Sequence, residues 1–138
     1  MDDVLLNKAA IIERCLLRIH EEYDDYKDTL ESNFTRQDAI ILNLQRACES
    51  SIDAAMHIVR IRRLGIPQQS RDAFLMLEKA SLLPKQLSEH LQAMVGFRNI
   101  VVHQYQELNL DILKFILNER LCDFREFASI LIREASAT

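Results

Sequence analysis

The sequence predicts an all-α fold, an up-and-down bundle of four long helices plus one short helix. Two Gly and two Pro in 138 residues leave few helix breakers and little material for the tight turns of a β-fold. Apolar residues recur at three- and four-residue steps over long stretches, the spacing of one helical face. The breaks in that pattern are few: Asn33-Phe34-Thr35, Gly65-Ile66-Pro67, Leu83-Pro84 and the Asn around 109. Length and an apolar content of 49% suit one domain over residues 1–138 with a sizeable core.

The first helix is expected from about 3 to 29, with Val4, Ile11, Ile12, Cys15, Leu16, Ile19, Tyr23 and Tyr26 on its apolar side. Glu21, Glu22, Asp24, Asp25 and Asp28 make its end acidic, either as a solvated face or as a docking surface for a basic partner. The second helix is expected over 36–64, with Thr35 as N-cap and Asp38 three residues on as a capping-box-like acid. Asp53 falls near its apolar stripe and calls for a polar partner.

Gly65 then tolerates left-handed geometry and Pro67 stops the helix. Ser70 is placed to cap a short third helix over about 71–81. Pro84 suits the first position of a fourth helix, which by its pattern runs on past residue 100. Asn109 is placed to cap a fifth helix over about 110–134, with Ile112, Phe115, Ile116, Cys122, Phe124, Phe127, Ile130 and Leu131 on its apolar side. The last residues, 135–138, are expected to fray.

Composition excludes several classes of function. No run of about 18 uncharged apolar residues occurs, so no transmembrane helix is expected. Asp2 and Asp3 stand where a signal peptide carries basic residues, which points to a cytoplasmic protein. Cys15, Cys48 and Cys122 are far apart, odd in number and set in apolar contexts, so buried free thiols are expected and zinc is not. No Gly-rich phosphate loop occurs and nothing suggests a carboxylate metal cluster, so neither cofactor nor metal is expected. A net charge of −4 argues against broad non-specific nucleic-acid binding, although not against RNA held in a local basic cleft. The densest basic cluster, Arg60, Arg62 and Arg63, either satisfies a helix C-terminus or holds RNA phosphates. His20, His57 and His90 read as surface or boundary histidines, with His57 nearest that cluster.

The stretch richest in chemistry is Arg98-Asn99-Ile100-Val101-Val102-His103-Gln104-Tyr105. On a helical wheel Asn99 and His103 share a polar arc with Lys85, Ser88, Gln92 and Gln106, while Leu87, Leu91, Met94, Phe97 and Val101 form the apolar arc. Arg98 falls within the apolar arc, close to Leu91 and Tyr105. A guanidinium keeps its charge, so Arg98 needs a carboxylate, a deformed helix, or an edge that lines a cleft or subunit interface. Gly96, on the polar arc, permits close approach of another backbone or a ligand.

This run resembles the Arg-x4-His-x-Tyr motif of the HepT-like branch of HEPN domains. Further matching stretches occur in order: Asn43-Leu44-Gln45-Arg46-Ala47-Cys48, Ile52-Asp53, Gly65-Ile66-Pro67, Ser70-Arg71-Asp72-Ala73-Phe74 and Met94-Val95-Gly96-Phe97. The resemblance implies an HEPN-like helical bundle and a metal-independent endoribonuclease. It also implies a homodimer whose paired motifs line one cleft. Arg98 and His103 take the catalytic roles, with Asn99 supporting. In that branch the protein is the toxin of a type VII-like toxin–antitoxin pair, whose minimal nucleotidyltransferase antitoxin adds AMP to the motif tyrosine, here Tyr105.

The chemistry of the residues agrees with that reading. RNA cleavage without a metal uses the 2′-hydroxyl as nucleophile, a base to take its proton, an acid for the leaving 5′-oxygen, and positive charge for the transition state. Histidine serves as acid or base and arginine grips phosphate through paired N–H groups. One motif supplies one histidine, and a two-fold dimer would supply two and place Arg98 at the interface. The alternative is a non-catalytic nucleotide- or substrate-binding partner of a nucleotidyltransferase, and a third reading is a helical dimer without ligand.

Overall fold

In the computed structural model the described residues are 1–97, 101–103 and 107–137, with Val102, His103 and Glu107 described by their backbone. Helix α1 spans Asp3–Tyr23 and buries Leu5, Ala9, Ile12, Cys15, Leu16, Ile19 and Tyr23, the expected stripe. Its N-cap is Asp2, whose Oδ1 accepts from the Leu5 backbone N–H at 3.1 Å. The helix stops six residues short of the expected end. Asp24, Asp25 and Asp28 would set negative charge against the negative end of the helix dipole. The chain tightens instead into a 3-10 turn, Lys27–Ser32, tied down by the Gln37 side-chain amide, which donates to the Leu30 carbonyl at 2.7 Å.

Helix α2, Phe34–Ile61, is the axis of the molecule, 28 residues and about 40 Å long. Its cap is Asn33 rather than Thr35, with Asn33 Oδ1 accepting from Arg36 N at 3.0 Å. Asn caps as well as Thr and stands two residues earlier, so the helix starts earlier. Helices α1 and α2 run antiparallel, as two cross-links show: Lys8 meets Asp53 at 3.4 Å and Glu22 meets Arg36 at 2.9 Å. The first of these is the partner that Asp53 called for. Ala47, Ala54 and Ala55, all buried, keep the face of α2 flat enough for close packing.

Arg63 (φ 55°) and Gly65 (φ 139°) turn the chain out of α2. Helix α3, Ser70–Lys79, is capped by Gln69 rather than Ser70, and the Asp72 carboxylate accepts from the Gln68 and Gln69 backbone N–H groups. Helix α4, Lys85–Met94, follows Pro84 as expected and is tied to α3 by the Ser88 hydroxyl, which donates to the Phe74 carbonyl at 3.2 Å.

Beyond α4 the structure departs from the expected helix. Val95-Gly96 form a turn, and Val102–His103 is a short strand β1 paired antiparallel with Glu107–Leu108, strand β2, in the register Val102 to Leu108 and His103 to Glu107. The Asn109 backbone N–H donates to the Val101 carbonyl and closes this reversal. Phe97 and Val101 are helical again, and extended backbone begins at Val102, a β-branched residue.

The expected fifth helix is two helices. Helix α5, Leu110–Glu119, is capped by Asn109 as expected, and helix α6 is Leu121–Ser136, with Arg120 (φ −123°, ψ −7°) out of helical geometry between them. The break lets α5 reach Tyr23, whose hydroxyl donates to Asn118 at 2.9 Å, while α6 lies along α1, with Asp2 N donating to the Ala135 carbonyl at 3.1 Å. Phe74 and Phe127 meet edge to face with centroids 5.7 Å apart in a contiguous buried cluster. Cys15 and Cys48 are buried as expected, and Cys122 is exposed, because the start of α6 turns its side chain outward. No described helix is long and apolar enough to cross a membrane.

Candidate active site

The motif emerges from the C-terminal end of α4. Met94 and Phe97 are buried, and the Cys48 thiol lies 3.7 Å from the Met94 carbonyl, so α4 ends against the middle of α2. Burial raises the Cys48 thiol well above its ordinary range and keeps it protonated. Val101 is fully buried and anchors the far side of the motif. Arg98, Asn99 and Tyr105 lie outside the described residues. For His103 the backbone is described, and it is extended. The expected helix therefore does not extend to His103, and the relation of Asn99 to it lies outside the described residues.

Gly96 admits a cation. A Cβ at that position would stand 3.1 Å from Nη2 of Arg71, an exposed residue in the first turn of α3. The close approach expected at Gly96 is thus made by a guanidinium, two residues before Arg98. Arg71 belongs to one of the stretches matched in order, yet nothing in the sequence alone tied it to Gly96, 25 positions away.

Arg60, Arg62 and Arg63 stand elsewhere. Arg62 pairs with Glu134 of α6, and an Arg60 N–H contacts Nδ1 of His57 at 2.9 Å. Nε2 of His57 in turn meets Asp2 at 2.8 Å, and this contact holds the Asp2 carboxyl below its ordinary range. Arg62 lies fourteen residues along α2 from Cys48, about 20 Å. The motif leads the other way, into α5, which meets Glu31 through Lys114 at 3.0 Å, near the start of α2. Of the two readings of this cluster, its contacts favour the structural one. The acidic end of α1 is likewise internally paired, Glu21 and Glu22 with Arg18, Glu22 also with Arg36, and Asp24 with His20.

The flank of the motif holds residues that sequence reasoning passed over. His90 on α4 places Nδ1 3.1 Å from the buried carboxylate of Asp123 on α6. Both oxygens of that carboxylate lie 3.1 Å from Nδ1, so the one ring nitrogen faces the whole group. Beside them Phe115 is 50% exposed although it belongs to the expected apolar side of the fifth helix. The Arg120 guanidinium lies over its ring, 4.8 Å from the centroid. Among the described residues no group of three or more His, Cys, Asp or Glu could hold a metal ion.

The architecture has close counterparts. The chain matches the family described as Ribonuclease HepT-like over residues 12–131. It is 48% identical over 134 residues to the mRNA nuclease HepT of Shewanella oneidensis, covering 97% of this chain and all of that protein. Among solved structures it resembles a tri-AMPylated Shewanella oneidensis HEPN toxin in complex with its MNT antitoxin, at a TM-score of 0.88 and 48% identity, covering 96% of this chain and 99% of that one. It also resembles a toxin–antitoxin crystal structure with AMP-PNP, at a TM-score of 0.87 and 48% identity over 95% and 99% of the two chains. With a matched span of that length and a relative of that identity covered end to end, this chain belongs to the Ribonuclease HepT-like family.

Proposed function

We propose that this chain is a metal-independent endoribonuclease, the toxin of a toxin–antitoxin pair, acting as a homodimer of one domain per chain in the cytoplasm. The observation that carries the reading is the run Arg98-x4-His103-x-Tyr105 within a matched family span of residues 12–131. His103 moves the proton of the 2′-hydroxyl or of the leaving 5′-oxygen, and the His103 of a second copy takes the complementary role. Arg98 holds the phosphate as charge develops on it, and Asn99 supports this arrangement. Arg71, against Gly96, adds a positive charge beside the motif.

The antitoxin partner is a minimal nucleotidyltransferase, and its target is the Tyr105 hydroxyl. An added AMP brings a phosphodiester anion that pairs with Arg98 in place of RNA phosphate, while its purine obstructs the cleft. The related toxin that is tri-AMPylated in complex with its MNT antitoxin supports this assignment.

The test is cleavage of RNA by purified protein in EDTA, with products ending in a cyclic phosphate or its opened form. Activity lost in EDTA and restored by magnesium would refute the mechanism. Incubation with the antitoxin and ATP should add mass in units of AMP and silence the wild type. Tyr105→Phe should still cut RNA and resist silencing, and a Phe variant modified and silenced as fully as the wild type would place the switch elsewhere.

A further inference from the structure

Between α4 and α5 lies an open recess of about 260 Å³, lined on one side by His90, Met94 and Phe97 and on the other by Ile112, Phe115 and Arg120. Phe97 immediately precedes Arg98, so the recess opens where the motif begins. At this size, below the roughly 300–1,000 Å³ of ordinary small-molecule sites, it holds a single flat ring system rather than a whole cofactor. We propose that this recess is a subsite for one base of the RNA substrate, stacked on Phe115 with its edge against His90. This rests on the ribonuclease reading above and adds to it where RNA is gripped beside the cut.

Four features support a base over a purely apolar occupant. Phe115 is half exposed on a helix whose Leu113, Ile116 and Leu117 are buried, so burial in this fold is not what keeps an aromatic there. The Arg120 guanidinium lies over one face of the ring and holds it, so a base stacks on the other face, the aromatic and arginine pairing that single-stranded RNA readers use. His90 is oriented, because Nδ1 lies 3.1 Å from Oδ1 of Asp123. In the neutral ring that contact places the proton on Nδ1, so Nε2, without a partner among the described residues, is the acceptor. Finally, Asp123 is only 6% exposed, with both carboxylate oxygens 3.1 Å from Nδ1 of His90, a buried charged group that a surface meant only for apolar packing does not need.

An acceptor fixed at the rim of a stacking recess suits a base edge. Adenine, cytosine and guanine each present an exocyclic amine, and uracil an imino N–H. Charge fixes the direction of the strand. On the far side of His90 a second recess is lined by three carboxylates, Glu119, Asp123 and Glu126, against one guanidinium, Arg120, a balance that disfavours phosphate. The backbone of the bound nucleotide must therefore leave on the Phe97 side, toward Arg71 and Arg98.

The chain contains no tryptophan, so Phe115→Trp installs a single reporter at the platform. It should be titrated with a single-stranded RNA carrying 2′-O-methyl groups, which cannot be cut through the 2′-hydroxyl. Emission should be quenched, saturating at the RNA concentration at which fluorescence anisotropy reports binding. Phe115→Ala should weaken binding of the same RNA about tenfold, with the particle mass by light scattering unchanged. His90→Leu should weaken it less and leave the tryptophan quench of the double variant incomplete. Binding by anisotropy without quenching would overturn the subsite, as would failure to bind RNA at all. Separation of subunits by Phe115→Ala would also overturn it, assigning the recess to protein contact. Cleavage of unmodified RNA by wild-type protein is read separately. Cutting with a silent tryptophan sinks the subsite alone, and quenching without cutting sinks the nuclease alone.

Discussion

Two of the histidine–aspartate pairs, each joining different helices or a helix to a cap, stand on different flanks of the bundle and are built differently. His57 and Asp2 meet at 2.8 Å near the end of α2, and both are fully engaged. Asp2 also caps α1 through Leu5, and the other nitrogen of His57 contacts Arg60. His90 and Asp123 meet at 3.1 Å beside the motif, with both carboxylate oxygens facing Nδ1 and the other ring nitrogen, Nε2, lacking a hydrogen-bond partner among the described residues. A pair whose valences are all satisfied closes a structure. A pair held rigid with valences to spare presents them to something else. The same contrast runs through the charges nearby, with Arg62 locked to Glu134 at one end and Arg71 standing exposed against Gly96 at the other.

The largest effect should separate the two ends by activity. His103→Ala or Arg98→Ala should lower RNA cleavage by about 10²–10⁴-fold, the ordinary size of an acid–base or charge-stabilising contribution. Arg60, Arg62 and Arg63 changed together to Gln should leave the cleavage rate within about twofold and the salt dependence of RNA binding unchanged. A flattened salt slope in the triple variant would show that the α2 end also grips phosphate, and the contrast would fail.

The next effect separates them by stability. Asp2→Ala removes an N-cap and should cost about 1 kcal/mol in denaturant unfolding. Asp123→Asn keeps one acceptor oxygen for the Nδ1 that faces both carboxylate oxygens and removes a buried charge, so its cost should be smaller. The acid limb sharpens this further. The hydrogen bond from His57 lowers the Asp2 carboxyl in the folded state below its unfolded value of ~3.9. A lowered folded-state value contributes stability that is present above the unfolded value and is lost as pH falls through the folded one. Wild-type protein should therefore lose stability below about pH 4, and Asp2→Asn should lose less over the same window. Equal acid limbs in the two proteins would remove Asp2 from the account.

What the sequence made legible follows from range. The all-α class, the position of α2, the Pro84 start of α4 and the Asn109 cap are set by residues within one or two turns of each other, and these appeared as expected. The acid run 24–28 is also local, but a long helical periodicity masked it, so α1 was drawn too long, and the same periodicity carried the fourth helix past its end at Met94. The break at Arg120 carries neither Gly nor Pro. Its cause is tertiary, since α5 turns toward Tyr23 and α6 follows α1. The site divides in the same way. Arg98, Asn99, His103 and Tyr105 form one short run, so the expectation placed on them rests on local sequence alone. His90 and Asp123 are 33 residues apart, Gly96 and Arg71 are 25 apart, and no local pattern joins them.

The smallest expected effect tests whether the α2 end is merely tidy or strongly held. Arg62 and Glu134 join the end of α2 to the last turn of α6, with side chains 36% and 15% exposed. Such a half-exposed pair gains modest Coulomb energy, loses side-chain entropy and is weakened by salt. Glu134→Gln keeps a hydrogen-bond acceptor for Arg62 and removes only the charge. It should destabilise by about 0.2–1 kcal/mol in low salt, and the difference from wild type should shrink toward zero near 1 M salt. RNA cleavage should be untouched, because the pair lies about 20 Å along α2 from where α4 meets it. A larger loss that salt does not screen would mean that Glu134 also orders the neighbouring recess it lines with Glu126 and Arg133. The end of α2 would then be a strained junction, and the contrast with the motif flank would be one of degree only.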